Sequence, residues 1–287
     1  MTDRAVSELH VQSWGPEGGT PVVAVHGITA NRTCWAPVAE LLPDVRLTAP
    51  DLRGRGLSAE LPGPWGMVRH ADDVAAVITD AADRRGGGPV VLVGHSMGAF
   101  VAAVTAARHP ELVSGLLLVD GGLPLHAPPG RSVAAAVQAS LGPALARLDR
   151  TFPSVEAYRD FWRDHPALGP AWSPAVQAYV DADLVGTPPQ LRSRVLADAV
   201  AQDSAELYDA PTINAALAEV RAVMIMLTAP RGLSGQSPGL YDDAAVQAAE
   251  RLGFDVREVP DVDHYTIVLG AGAAAVAAAV RELSPRA

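Results

Sequence analysis

The apolar residues of this chain fall into short runs separated by amphipathic stretches. Pro21–Val25, Val45–Ala49, Pro89–Val93 and Leu116–Val119 are apolar or nearly so. Runs of that length, rich in Val and Leu, read as strands buried on both faces. Between them, Thr33–Leu42 and Ala99–His109 read as helices, and Val68–Arg85 as a helix with Val74, Val77 and Ile78 on one face. Glu8–Trp14 alternates weakly, as an early antiparallel strand would, and Gly86-Gly87-Gly88-Pro89 marks a turn. Near the C-terminus the rhythm returns, with strands at Val220–Leu227 and Val256–Val259 and helices at Asp242–Leu252 and Gly272–Leu283. Strands alternating with helices predict an α/β protein with a doubly wound, mostly parallel sheet. Its functional groups then gather at the carboxyl ends of the strands, where His26, Asp51, Ser96 and Asp120 all stand.

The pattern breaks between Leu123 and Ala216. Strand-like runs vanish and prolines cluster, among them Pro124, Pro128, Pro129, Pro143 and Pro153. Phe152, Tyr158, Phe161, Trp162, Trp172 and Tyr179 also lie here. We read 123–216 as a helical cap inserted into a core formed by 1–122 and 217–287. An apolar, aromatic cap implies a hydrophobic substrate, and substitution of Trp162 or Trp172 is then expected to alter selectivity more than stability.

Composition narrows the choices. A chain of 287 residues, 49% hydrophobic, suits one large α/β domain or one with an inserted subdomain. Cys34 is the sole cysteine, so no internal disulfide can form. A net charge of −10 speaks against nucleic acid and anionic membranes as partners. The segment MTDRAVSELHVQSW carries no apolar signal region, which leads us to expect a cytoplasmic protein. All 22 basic residues are arginine, which removes Schiff-base, P-loop and Ser–Lys chemistry and fits a GC-rich bacterial genome. Nothing in the sequence calls for a cofactor or metal, and the chain could assemble as a homodimer.

The sharpest motif is Gly94-His95-Ser96-Met97-Gly98, between the strand at Pro89–Val93 and the helix at Ala99–His109. A G-x-S-x-G pentapeptide in that setting is a nucleophile elbow. The turn leaves no room for side chains two residues either side of the serine. Ser96 is raised above the sheet and the first helical N–H groups face whatever it attacks.

With His26-Gly27-Ile28, Asp51-Leu52-Arg53-Gly54-Arg55-Gly56-Leu57-Ser58 and Asp261-Val262-Asp263-His264-Tyr265, the elbow resembles the α/β-hydrolase family in kind and order. The resemblance spans nearly the whole chain. It implies an eight-stranded, mostly parallel sheet with a cap after the sixth strand, here Leu116–Val119. The order Ser…acid…His then places the base at His264 among eight histidines. The acid of many members follows the seventh strand, but Arg231–Gly239 holds no carboxylate and Asp242-Asp243 looks like a helix start. Some members, including haloalkane dehalogenases and certain lactonases, carry the acid after the sixth strand, and Asp120 matches that place. Asp120 is therefore favoured over Asp242. The oxyanion hole is expected from the backbone N–H groups of Ile28 and Met97. Asp51, Arg53, Asp261 and Asp263 read as loop braces, and Cys34 as a small semi-apolar residue.

Three functions stay in contention. The first is hydrolysis of a carboxylic ester or lactone of a small hydrophobic molecule through an acyl-enzyme. Serine at the elbow disfavours halide and epoxide chemistry, which needs an aspartate nucleophile. The second keeps the triad but cleaves a thioester or a carbon–carbon bond beside a ketone. The third is a ligand-binding receptor on the same fold, for which a base would be superfluous.

Overall fold

A computed structural model describes residues 7–84, 87–127 and 130–284. Outside them lie the first six residues, the end of the helix expected at Val68–Arg85 with the first glycine of its turn, and Pro128 and Pro129.

Seven strands form the main sheet. In chain order they are β1 (Val11–Trp14), β2 (Thr20–Val25), β3 (Val45–Pro50), β4 (Val90–His95), β5 (Val113–Val119), β8 (Val223–Thr228) and β9 (Asp255–Glu258), with β6 (Leu184–Val185) and β7 (Arg192–Ser193) pairing separately. The spatial order is β1-β3-β2-β4-β5-β8-β9, and every pair but β1–β3 is parallel. Eight strands were expected. Among the described residues one N-terminal strand lies antiparallel on β3, and the chain turns at Gly15–Gly19 straight into β2.

The period of two divides the sheet's side chains cleanly. Val22, Ala24, Val91, Val93, Leu117, Val119, Ile225 and Leu227 share one hydrophobic cluster; Val23, Val25, Leu92, Leu116, Leu118, Met224 and Met226 share the other. The first face is covered by α1 (Ala36–Glu40), α10 (Thr266–Leu269) and α11 (Ala273–Leu283). Ala273, Val276, Ala277 and Val280 give α11 its buried stripe. The other face carries α2 (Met67–Asp83), α3 (Met97–Arg108) and α9 (Asp243–Arg251). Because α2 flanks α3 while the sheet lies beneath, every residue from Met97 to Ala106 is buried.

The first expected helix is shorter than its apolar span. Asn31 caps a 3₁₀ turn at Arg32–Trp35, and Pro37 then sits in the first turn of α1, where a missing N–H costs nothing.

The insertion between β5 and β8 comprises α4 (Val133–Leu145), α5 (Val155–Arg163), α6 (Pro174–Asp181), α7 (Ala197–Glu206) and α8 (Ala210–Glu219). The β6–β7 pair is a departure from the expected all-helical insertion; two-residue strands are too short to leave a periodic signal. The expected boundary at 216 falls inside α8, which packs on α3 as the crossover to β8. For the same reason β8 begins at Val223 rather than Val220.

Candidate active site

Ser96 occupies the single residue between β4 and α3, at φ 54 and ψ −127. A non-glycine residue in that region is strained, and strain of this kind persists only where its surroundings enforce it. The enforcement comes from backbone. A Cβ at Gly94 would overlap the Gly98 carbonyl and Ala99, and one at Gly98 would overlap the Val25 and His26 carbonyls. No rotamer change can relieve such overlaps, so both flanks of the elbow must lack side chains.

His264 lies in the loop between β9 and α10. Its Nε2 is 2.9 Å from Ser96 Oγ and its Nδ1 is 2.6 Å from Asp120 Oδ2. Asp120 directly follows β5 at a positive φ of 42 and is fully buried. Its Oδ1 accepts the Ala229 N–H at 3.0 Å, and its own N–H donates to the Leu227 carbonyl at 2.7 Å. An ionised carboxylate only accepts, so Nδ1 carries the ring proton and Nε2 turns its lone pair to the serine hydroxyl. The structure thus brings Ser96, His264 and Asp120 into one hydrogen-bonded line across chain separations of 168 and 144 residues. Asp242 is elsewhere: it caps α9, accepting the Ala245 N–H at 2.9 Å.

The loop after β2 forms the other side. A Cβ on Gly27 would lie 3.0 Å from Ser96 Cβ, so the Gly27–Ile28 peptide passes directly over the serine. Among the described residues neither the Ile28 nor the Met97 N–H donates to a protein carbonyl. His26 holds this turn from behind. Its Nδ1 donates to the Gly27 carbonyl at 2.8 Å while its Nε2 accepts the Leu52 N–H at 2.9 Å. Burial, the largest influence, lowers the His26 pKa to about 4, which keeps the ring neutral and its tautomer fixed. Buried Arg55 then donates from Nε to the Ile28 carbonyl at 2.9 Å.

His95 braces His264 in turn. Its Nε2 donates to the His264 carbonyl at 2.8 Å, and the two rings pack 4.8 Å apart. Burial, with the His264 charge second, holds His95 well below the usual histidine range, so this donor stays neutral. The other expected braces also act as such. Asp51 accepts the Arg32 and Leu57 N–H groups, both at 2.8 Å, and Arg53 makes two 3.0 Å bonds to Asp73. Asp263 caps the turn after His264 through the Tyr265 and Thr266 N–H groups, and the Asp261 carbonyl accepts from Arg231.

A tight cavity of about 20 Å³, partly open to solvent, lies beside Ser96 and His264. Ile28, Leu141, Tyr179, Leu233, Val268 and Leu269 supply its apolar wall, so α4 and α6 of the insertion contribute to its roof. None of the described residues lining it is an arginine. Cys34 also borders it, but burial pushes the thiol well above its usual pKa, which disfavours the nucleophilic thiolate. The expected role of the two tryptophans needs correction. Trp162 is buried among Tyr158, Phe161 and His165, Trp172 stacks under Arg163, and neither borders the cavity. Helix α5 turns its aromatic face into the insertion's own core, a choice that residue type alone does not reveal.

No helix among the described residues is long and apolar enough to cross a membrane. The sequence model of the alpha/beta hydrolase family matches residues 22–279. Lipase LipV of Mycobacterium tuberculosis is 33% identical over 290 residues, 98% of this chain and 100% of that protein. Among solved structures, E-2-(acetamidomethylene)succinate hydrolase superposes with a TM-score of 0.76 at 23% identity, covering 96% of this chain and 94% of that one. The thioesterase domain from the curacin biosynthetic pathway gives 0.72 at 21% identity, covering 94% of each chain. At such identities the superpositions speak for the fold, whereas the family match and the full-length relative speak for descent. The chain belongs to the alpha/beta hydrolase family and is a hydrolase.

Proposed function

We propose that the protein hydrolyses a carboxylic ester or lactone of a small hydrophobic molecule through an acyl-enzyme on Ser96. The observation that carries this reading is the unbroken line Asp120–His264–Ser96 at 2.6 and 2.9 Å. His264 Nε2 takes the Ser96 proton as Oγ bonds to the substrate carbonyl carbon. The Ile28 and Met97 N–H groups receive the oxyanion, and Asp120 stabilises the imidazolium. Collapse of the tetrahedral intermediate breaks the bond to the alkoxy oxygen, which takes the proton from His264. Water, deprotonated by the same ring, then releases the acid. The part of the insertion that precedes α8 acts as a cap that excludes bulk water and limits substrate size.

The apolar wall favours a neutral acyl group. A dicarboxylate of the kind named for E-2-(acetamidomethylene)succinate hydrolase would need a counter-charge, and the cavity lining offers no arginine. Labelling by a fluorophosphonate, followed by a panel of p-nitrophenyl esters, lactones, acyl thioesters and β-diketones, tests the proposal. Ester or lactone turnover by a protein that labels at Ser96 supports it. Turnover confined to thioesters or diketones replaces it with the second chemistry, and failure to label removes the acyl-enzyme altogether.

A further inference from the structure

Three successive carbonyls of the loop over Ser96 are each held by a side chain that is itself buried. His26 holds Gly27 and Arg55 holds Ile28, both from the core. The third, the Thr29 carbonyl, accepts at 2.7 Å from an Nη of Arg147, just past the C-terminus of α4 in the insertion. We propose that Arg147 is a positioning residue through which the seated cap sets the oxyanion hole. The inference rests on the acyl-enzyme reading above.

Arg147 is built to deliver that one bond. It is 1% exposed, its Nε donates to Asp183 at 3.1 Å, and its other Nη donates to the Ala144 carbonyl. The Trp162 ring lies 5.0 Å from the guanidinium carbon. Asp183 is fixed in turn by Ser193 Oγ at 2.8 Å and by the Tyr158 hydroxyl. All of these supports come from the insertion, and only the Thr29 bond leaves it for the core. A buried guanidinium is costly to desolvate, so an arginine aimed at a single loop carbonyl is an expensive way merely to pin two layers together. The loop is also tied to the cap by Asn31, whose Nδ2 donates to the Tyr179 carbonyl at 3.1 Å. That second tie holds the cap in place when Arg147 is altered. The Thr29 carbonyl lies two peptides beyond the Ile28 N–H, close enough that its release tilts the donor away from the oxyanion.

Arg147→Lys tests this. A lysine keeps its charge beside Asp183 but has one head group, which cannot span both Asp183 and Thr29. We expect kcat for p-nitrophenyl acetate to fall about 10- to 100-fold, less than the loss of about 10²–10³-fold that follows when an oxyanion donor is removed outright. KM should stay within about threefold and the melting temperature within a few degrees. Affinity for phenylboronic acid, whose tetrahedral serine adduct places an oxygen in the hole, should fall in step with kcat/KM. Asp183→Asn, which loosens Arg147 without removing it, should move both quantities the same way by less, and it serves if the lysine variant does not fold. Unchanged kcat, or a loss confined to KM or to stability with boronate affinity intact, overturns the proposal and leaves Arg147 a cap anchor. A wild-type protein that neither labels at Ser96 nor turns over esters fails earlier, and takes both readings down together.

Discussion

Replacing Asp120 by asparagine separates the two carboxylates that the sequence leaves in competition. The carboxylate has two bound neighbours, the His264 Nδ1–H on Oδ2 and the Ala229 N–H on Oδ1, at 2.6 and 3.0 Å. Both are donors, and asparagine brings one acceptor and one donor. If its oxygen faces His264, its NH₂ group faces the Ala229 N–H in a fully buried site, at a cost of about 1–3 kcal/mol. The amide therefore turns its oxygen to Ala229 and its NH₂ to His264. That forces the ring proton onto Nε2, where the base can no longer accept from Ser96.

Loss of the charge-assisted bond to the imidazolium removes about another 1.5–3 kcal/mol from the transition state. Together these place the loss near 4 kcal/mol, or about 10³-fold in kcat. The assay is turnover of a p-nitrophenyl ester alongside the rate of fluorophosphonate labelling and the melting temperature. Asp242→Asn is the control. Asparagine caps a helix as well as aspartate, so only the dipole contribution of about 0.3–1 kcal/mol is at risk, and that in stability alone. A folded Asp120→Asn protein retaining more than about a tenth of wild-type kcat would refute the reasoning, as would a larger loss in Asp242→Asn.

Ser96→Ala should abolish labelling and lower kcat by about 10⁴-fold or more while the fold survives, because among the described residues the hydroxyl bonds only to His264; residual turnover above that level would show another nucleophile. Stability should fall on acidification between about pH 6.5 and 4. His26 is protonated over that range when unfolded but not when folded, so the unfolded state binds the extra proton and is favoured as pH drops, by up to about 3 kcal/mol. His95, depressed for the same reason, acts in the same direction, and a flat urea midpoint across that window would contradict both assignments. Trp162→Ala should cost about 3–5 kcal/mol, read as a drop in melting temperature on the order of 10 °C, with the ranking of ester chain lengths unchanged. A shifted ranking at unchanged stability would return Trp162 to the substrate.

What could be read in the chain was whatever is written locally. The alternation of strands and helices, the bare flanks of Ser96 and the empty loop after β8 are each carried by contiguous residues. Joined to the resemblance to the α/β-hydrolase family, which offers a place for the acid after the strand that Asp120 follows, they draw Ser96, Asp120 and His264 together. Chain order supplied the long-range part, since the carboxyl ends of parallel strands converge at one edge of the sheet. Where no local rule operates, the reading fell short: β6–β7 is too short for periodicity, and α8 starts inside a stretch whose composition resembles the cap on its N-terminal side.

The clamp on the oxyanion loop was illegible for a different reason. His26–Gly27 and Arg55–Ile28 sit within two recognised motifs, but Arg147 lies 118 residues from Thr29 in a segment with no motif at all. An arginine at the end of an apolar helix ordinarily reads as a solvated charge favourable to the helix dipole. It becomes an interior residue because Asp183, Ser193 and Tyr158 surround it, and no spacing rule relates those four positions. Such a buried polar cluster gains little stability over an apolar one of equal volume. Its place beside the loop over Ser96 is therefore better explained by geometry than by stability. That makes the distinction experimental: an apolar repacking of Arg147, Asp183 and Ser193 together, chosen to fill the same volume, should preserve or raise the melting temperature and still lose turnover. If turnover survives such a repacking, the cluster serves the cap alone.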